Sequence, residues 1–225
     1  MDSAEGPGRR GLLVAIDGAA GSGKSTLARG VAGALGLPYL NTGSMYRALT
    51  LESLRGGVAP DDADGLVDLL SRLRFSLDGG PGASLRIGGS EPDPELEGSA
   101  VDAVVSRVSA HPRIRATMHR LQRELGARGA VVEGRDIGSV VFPDADVKLY
   151  LVADPAERAA RRVGQRSVDA RSTESALHAR DEADAAVNPF EPPPDAVVID
   201  TGRVDPSEAL RMALAAVAAR TRGGA

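Results

Sequence analysis

Apolar positions along the chain fall into two alternating textures, short unbroken apolar runs and longer segments in which they recur at three- and four-residue spacing. Residues 11–17, with Leu12, Leu13, Val14, Ala15 and Ile16, predict a short buried strand. Residues 24–35 carry Leu27, Ala28, Val31, Ala32 and Leu35 at helical spacing, and Gly36 and Pro38 end the helix. Tyr39 and Leu40 predict the next short strand. Asn41-Thr42-Gly43-Ser44 reads as a turn with N-cap chemistry that opens a helix through about Leu54, and residues 61–73 predict another.

Between residues 74 and 98 the pattern changes to alternation, at Arg74-Phe75-Ser76-Leu77 and Leu85-Arg86-Ile87 around a Gly-Gly-Pro-Gly turn, which predicts a small β insert. Helical spacing returns over 99–110 and, after Pro112, over 113–128. Residues 130–133 and 147–152 are unbroken apolar runs and predict two further buried strands. A helix over 154–163 leads into an Arg-rich stretch to about 170 and a further helix to 184. A proline-rich loop (188–195), a last strand (196–200) and a closing helix (206–220) complete the pattern, with no internal repeat.

Short apolar strands alternating with helices imply an α/β fold of three layers, a central parallel sheet covered on both faces. Ligands of such sheets sit beyond the carboxyl ends of the strands, so the segments to read for chemistry are 18–25, 41–47, 133–136 and 153–154.

The first of these is Gly18-Ala19-Ala20-Gly21-Ser22-Gly23-Lys24-Ser25, a G-x-x-x-x-G-K-[ST] phosphate loop directly between a predicted strand and a predicted helix. Small residues let successive backbone N–H groups converge on phosphate oxygens, the helix N-terminus adds positive character, and Lys24 reaches the outer phosphates. Ser25 or Thr26 offers a hydroxyl to Mg²⁺, which prefers oxygen ligands shared with the nucleotide. The loop predicts a nucleoside triphosphate as ligand, with Mg²⁺. Alone it does not separate a kinase from a GTPase or a motor.

Composition narrows the classes. With 42% apolar and 26% charged residues in 225, the chain has the profile of an ordinary globular protein with one main core. A net charge of -4 and 3% aromatic residues give neither bulk attraction for nucleic acid nor many stacking platforms. There is no cysteine, which excludes disulfides and thiolate metal sites. Residues 1–10 are polar and read as a flexible N-terminus, and no run reaches signal-peptide or membrane-spanning length, so the cytoplasm is the expected compartment.

Of the 27 basic side chains only Lys24 and Lys148 are lysines. Arginines stand at Arg47, Arg113, Arg115, Arg135, Arg162, Arg166, Arg171 and Arg180, around the loops that follow strands. Transfer between two phosphorylated molecules requires their repulsion to be offset, and the planar guanidinium pairs bidentately with phosphate. No N-K-x-D motif reads guanine. Each arginine taken alone is more readily a solvated surface charge, and the case rests on where they cluster.

The segments Asn41-Thr42-Gly43-Ser44-Met45-Tyr46-Arg47, Glu133-Gly134-Arg135-Asp136-Ile137-Gly138-Ser139-Val140-Val141-Phe142-Pro143 and Arg180-Asp181-x-x-Asp184 resemble the bacterial cytidylate kinase family, a branch of the P-loop nucleoside monophosphate kinases. The likeness runs from about Leu12 to Arg220. It implies a core of residues 11–40 and 129–225, an acceptor-binding insert over 41–128 containing the small β-sheet, and a short Arg-rich lid over 163–187.

It further implies transfer of the γ-phosphate of ATP to CMP or dCMP by a monomer without nucleic-acid or membrane partners. Lys24, Arg135, Arg162 and Arg180 would be catalytic. Gly18 to Thr26 and Arg158 would bind ATP, with Ser25 toward the metal. Thr42, Tyr46, Arg47, Ser106, Arg115, Arg135, Asp136, Arg180 and Asp184 would bind the acceptor, with Ser106, Arg115 and Asp136 reading cytosine. A carboxylate accepting from the exocyclic amine distinguishes cytosine from uracil, whose O4 would leave it unpaired.

Two positions depart from the family pattern: Val187 stands where a further lid arginine is usual, and Glu133 where aspartate is common. Surface charge on an amphipathic helix accounts for Arg158 and Arg162 as readily as an adenine-stacking and phosphate-reaching pair. The rival readings are another P-loop small-molecule kinase and, from a different class, a nucleotide-dependent switch.

Overall fold

The computed structural model describes residues 11–77, 82–166, 182, 185 and 191–222, with side chains in the 155–166 helix described through Arg161. Five strands, β1 (Leu13–Gly18), β2 (Tyr39–Asn41), β5 (Ala130–Gly134), β6 (Val147–Val152) and β7 (Val197–Asp200), form one parallel sheet in the order β2-β5-β1-β6-β7. A two-stranded antiparallel sheet pairs β3 (Phe75–Leu77) with β4 (Leu85–Ile87). The helices whose full ranges lie within the described residues are α1 (Lys24–Leu35), α2 (Thr42–Gly56), α3 (Ala63–Arg72), α4 (Ser99–Ala110), α5 (Pro112–Gly126), α6 (Pro155–Arg166) and α7 (Pro206–Arg222).

The period-two rule of a strand builds the three layers. Along β1, Leu13 and Ala15 face one cluster with Met45, Leu49, Ile114 and Met118, drawn from α2 and α5. Val14 and Ile16 face the other, with Leu27 and Val31 of α1 and Ala213 and Val217 of α7. All six residues of β1 are buried, which explains an unbroken apolar run in place of alternation. The strand lies between β5 and β6 in register, Val14 opposite both Val131 and Val147.

Between β2 and β5 the chain leaves the sheet and makes a smaller core of its own, in which Ala48 and Leu51 of α2 meet Leu96, Val101 and Val105. Tyr46, Phe75 and Ile87 pack against both this cluster and the larger one. The hairpin docks on the sheet edge, where Tyr39 N donates to Ala83 O at 2.8 Å.

Local chemistry sets most boundaries. Gly36, at φ 64°, caps α1 with its N–H on the Ala32 and Gly33 carbonyls, and Asp62 Oδ1 accepts from Gly65 N at the start of α3. The turn expected over 41–44 is tighter than its sequence suggests, because Asn41 is itself the cap, accepting from Ser44 N at 3.1 Å, and Thr42 is already helical. Beyond β5, Ile137–Val141 winds as a π-helical turn that the apolar pattern does not foretell. Apart from Glu182, which is helical, the helix expected to run to 184 lies outside the described residues, as does part of the proline-rich loop. Among the described residues no helix is long and apolar enough to cross a membrane.

Candidate active site

All five parallel strands end at one edge, and the segments that follow them gather there. Gly18 closes β1 with φ 146°, and a Cβ on it would stand 2.4 Å from the Leu151 carbonyl oxygen, so only glycine leaves the strand this way. Gly23 caps α1 in the left-handed region at φ 88°, and no side chain bonds the first amides of the helix. Those N–H groups, with the helix dipole behind them, form an anion site.

Four loop carbonyls are held by donors from separate places. Arg135 Nη1 donates to Gly18 O at 2.9 Å, Lys24 Nζ to Ala19 O at 2.6 Å, Arg158 Nη1 to Ala20 O at 3.2 Å, and Thr201 Oγ1 to Ser22 O at 2.9 Å. A peptide plane fixed by its oxygen carries its N–H on the opposite side, so these contacts pre-set the loop for an anion. Arg161 in turn donates to Thr201, Nη1 to Oγ1 at 3.1 Å and Nη2 to the carbonyl at 2.5 Å.

Arg158, expected to stack on adenine, is 7% exposed and also binds Ala153 O through Nε at 3.3 Å. Its fork braces the loop from behind instead of presenting an open face.

Ser25 Oγ donates to Glu133 Oε2 at 3.0 Å, and the Tyr39 hydroxyl donates to Oε1 of the same buried carboxylate. Burial and the adjoining Glu133 raise the Tyr39 phenol well above its ordinary value, so it remains a donor. Ser25 and Glu133 thus bring two oxygen groups together beside the loop, a donor set that fits Mg²⁺. Thr26 is exposed at the start of α1.

At the end of β5, Thr42 Oγ1 donates to Glu133 O at 2.7 Å, and a Cβ on Gly134 would meet that hydroxyl oxygen at 2.6 Å. Arg115 Nη2 reaches Asp136 Oδ2 at 2.5 Å, bringing two of the expected base-reading residues into direct contact. His119 Nε2 lies 3.2 Å from the same oxygen without an aligned hydrogen bond. Burial opposes ionisation of Asp136, but His119 and Arg115 outweigh it and hold the carboxyl below its usual value.

Tyr46 lies in the field of Arg115 and Asp136, its phenol pushed up chiefly by burial. Ser106 sits half-buried on α4, one turn before His111 and the start of α5. Arg47 is 5% exposed, its fork on Leu96 O and Asp102 Oδ1, each at 2.6 Å. In this structure it ties α2 to the insert. Arg113 is paired with Asp64 at the exposed surface.

Asp17 links the two sides. Its buried carboxylate accepts from Ile137 N at 2.8 Å and Gly138 N at 2.7 Å, fixing the turn that follows Asp136 to the strand that precedes the phosphate loop. Burial pushes it up to about 6, partly offset by those two amides.

A cleft of about 830 Å³ is lined by Gly21, Gly23, Lys24, Ser25, Thr26, Arg161, Thr201, Val204 and Pro206 among others. A second cavity of about 510 Å³ shares Arg29, Asn41, Pro94 and Glu97 with it and extends under the β3–β4 hairpin. The expected lid and acceptor residues Arg166, Arg171, Arg180, Asp184 and Val187 fall as follows: the backbone of Arg166 ends α6, and the other four lie outside the described residues, as does the Arg162 side chain.

The phosphate loop and the Arg115–Asp136 pair thus follow the neighbouring strands β1 and β5. The profile of the cytidylate kinase family matches residues 14–219. The chain belongs to the cytidylate kinase family. A cytidylate kinase of Mycobacterium avium (strain 104) is 44% identical over 200 residues, covering 84% of this chain and 88% of that one. One from Deinococcus radiodurans is 46% identical over 192 residues, covering 85% and 92%. A gluconokinase of Sinorhizobium meliloti shares the fold, with a TM-score of 0.52 at 17% identity over 94% of each chain.

Within that family frame, Asp17, Arg161, Thr201 and His119 are site residues that sequence reading passed over. Two carried a signal: Asp17 is the next-to-last residue of β1, and Thr201 directly follows β7, positions where the strand-end rule directs attention. Arg161 and His119 carried none, because their roles depend on Thr201 and Asp136, distant in sequence.

Proposed function

We propose that this nucleoside monophosphate kinase transfers the γ-phosphate of ATP to CMP or dCMP, giving ADP and CDP or dCDP. The observation that carries the acceptor assignment is the ionised Asp136 carboxylate, anchored by Arg115 at the end of β5. It can accept from the N4 amine of cytosine, and with uracil it would face O4 and be left unpaired in a buried site.

In this reading the amides of Gly18 to Thr26 hold the donor phosphates, with Lys24 exchanging Ala19 O for them. Residues 41–128 hold the acceptor, with Thr42, Tyr46, Arg47 and Ser106 on its phosphate and nucleoside. Arg47 exchanges Asp102 for the incoming anion. Arg135, tied to Gly18 O, stands between the two phosphate positions, and Arg162, Arg180 and Asp184 act from the lid, residues 163–187.

Ser25, backed by Glu133, would hold Mg²⁺, which when bound offsets charge on the donor phosphates. The acceptor phosphate is anionic at neutral pH, so no general base is needed, and catalysis is alignment plus charge stabilisation. We take the working unit to be a cytoplasmic monomer binding only small molecules.

The test is coupled ADP formation with AMP, CMP, dCMP, UMP and GMP as acceptors. CMP and dCMP should give the highest kcat/KM, and a higher value with any other nucleotide removes the assignment.

A further inference from the structure

Resting on that acceptor assignment, we propose that His119 is a positioning residue for base recognition: it anchors Asp136 Oδ2 so that Oδ1 is presented to the exocyclic amine of cytosine. Arg115 and His119 are four residues apart on α5, one turn, and therefore approach the same point from one helix face. Both meet Oδ2, at 2.5 Å and 3.2 Å. Among the described residues no hydrogen bond reaches Oδ1. The carboxylate is gripped on one oxygen and offered on the other.

Arg115 has two duties in this reading, since the family resemblance also places it on the base. A guanidinium that turns toward the ligand leaves Oδ2 in a buried site, where losing a donor to a carboxylate is expensive. His119 Nε2 stands 3.2 Å from that oxygen and makes no aligned hydrogen bond of its own. A buried ring nitrogen within reach of a carboxylate oxygen yet not aligned with it needs a reason. The reason here is a reserve donor: a small rotation of the Asp136 carboxylate completes the bond as Arg115 swings to the base. Among the described residues the charged and titratable groups facing this point are Arg115 and, more distantly, Tyr46 and Asp17.

The experiment measures KM for CMP, UMP and ATP, and kcat, in wild type, His119→Leu and His119→Gln. Leucine removes the donor and keeps the bulk; glutamine keeps a donor able to reach Oδ2. His119→Leu should raise KM for CMP about tenfold, the size of one hydrogen bond to a charged group, with kcat within about twofold and KM for ATP unchanged. The preference for CMP over UMP should fall in step. His119→Gln should stay within about threefold of wild type. His119→Asn, polar but too short for Oδ2, takes the place of the leucine variant if that one does not fold.

Leucine and glutamine variants that lose equally reduce His119 to a packing role, and a leucine variant with wild-type KM for CMP removes the inference. A wild-type chain inactive on CMP instead overturns the acceptor assignment beneath it, so the two failures are distinguishable.

Discussion

The donor side and the acceptor side of this cleft are built on different principles. The phosphate loop is a backbone device: eight contiguous residues, glycines that permit its turns, and amides whose direction is fixed by holding the carbonyls. The side proposed for the acceptor is a side-chain device, in which Thr42, Ser106, Arg115, Asp136 and His119 come from α2, α4, α5 and the turn after β5. A backbone site binds what every nucleoside triphosphate shares, whereas a side-chain site can choose among bases. The two are joined at Asp17, which precedes one and fastens the other.

Breaking the donor side should have the largest effect and be blind to the acceptor. Lys24→Ala is expected to lower kcat by at least about a thousandfold with every nucleotide, the scale of losing a cation on a transferring phosphoryl group. Thermal melting should be unchanged, and turnover comparable to wild type would remove the site. Breaking the acceptor side should be smaller and selective. Asp136→Ala should cost about a hundredfold in kcat/KM with CMP and far less with UMP, and more with CMP than Arg158→Ala does. Equal losses on the two pyrimidines would take Asp136 out of base recognition.

Thr201→Val tests whether the far end of the sheet belongs to the donor side. It removes the hydroxyl on Ser22 O while keeping the shape, so KM for ATP should rise roughly five- to tenfold, the size of one net hydrogen bond, with KM for CMP unchanged. An equal rise in both constants would mean that Thr201 supports the whole edge.

The smallest expected effect lies at the joint. Asp17 is pushed up to about 6 in the folded chain, from an ordinary 3.8, by burial. Folding therefore takes up a proton between those values, and the stability linked to Asp17 is fully present below the ordinary value and lost as pH rises through 6. Melting wild type and Asp17→Asn from pH 7 to pH 4 should show the gap shifting in favour of wild type as pH falls. A constant gap would show that Asp17 does not titrate in this window.

The contrast between the two sides also explains what could be read in advance. The phosphate loop is legible because all its determinants are adjacent, and strand-loop-helix order puts it at a sheet edge. Strands β1, β5 and β6 are legible because a strand buried on both faces must be apolar throughout. Arg158 shows the limit: spacing places it on the helix face toward the loop, but only the packing of α6 behind Ala20 turns its guanidinium inward. Arg47 is similar, since Asp102 and the Leu96 carbonyl reach it from about fifty residues away. Likewise the π-helical turn at Ile137–Val141 takes two of its N–H groups to a carboxylate 120 residues earlier.

Sequence by itself determined the alternation of strands and helices, the phosphate loop and the segments that follow strands, since each is written in neighbouring residues whose propensities agree. Only the tertiary structure decided that Arg47 and Arg158 turn inward to brace the chain, and that Asp136 is paired with Arg115 and approached by His119, both from α5. The reason is physical: a guanidinium or carboxylate takes its role from the partner that packing brings within about 3 Å, and that partner is seldom a neighbour in the chain.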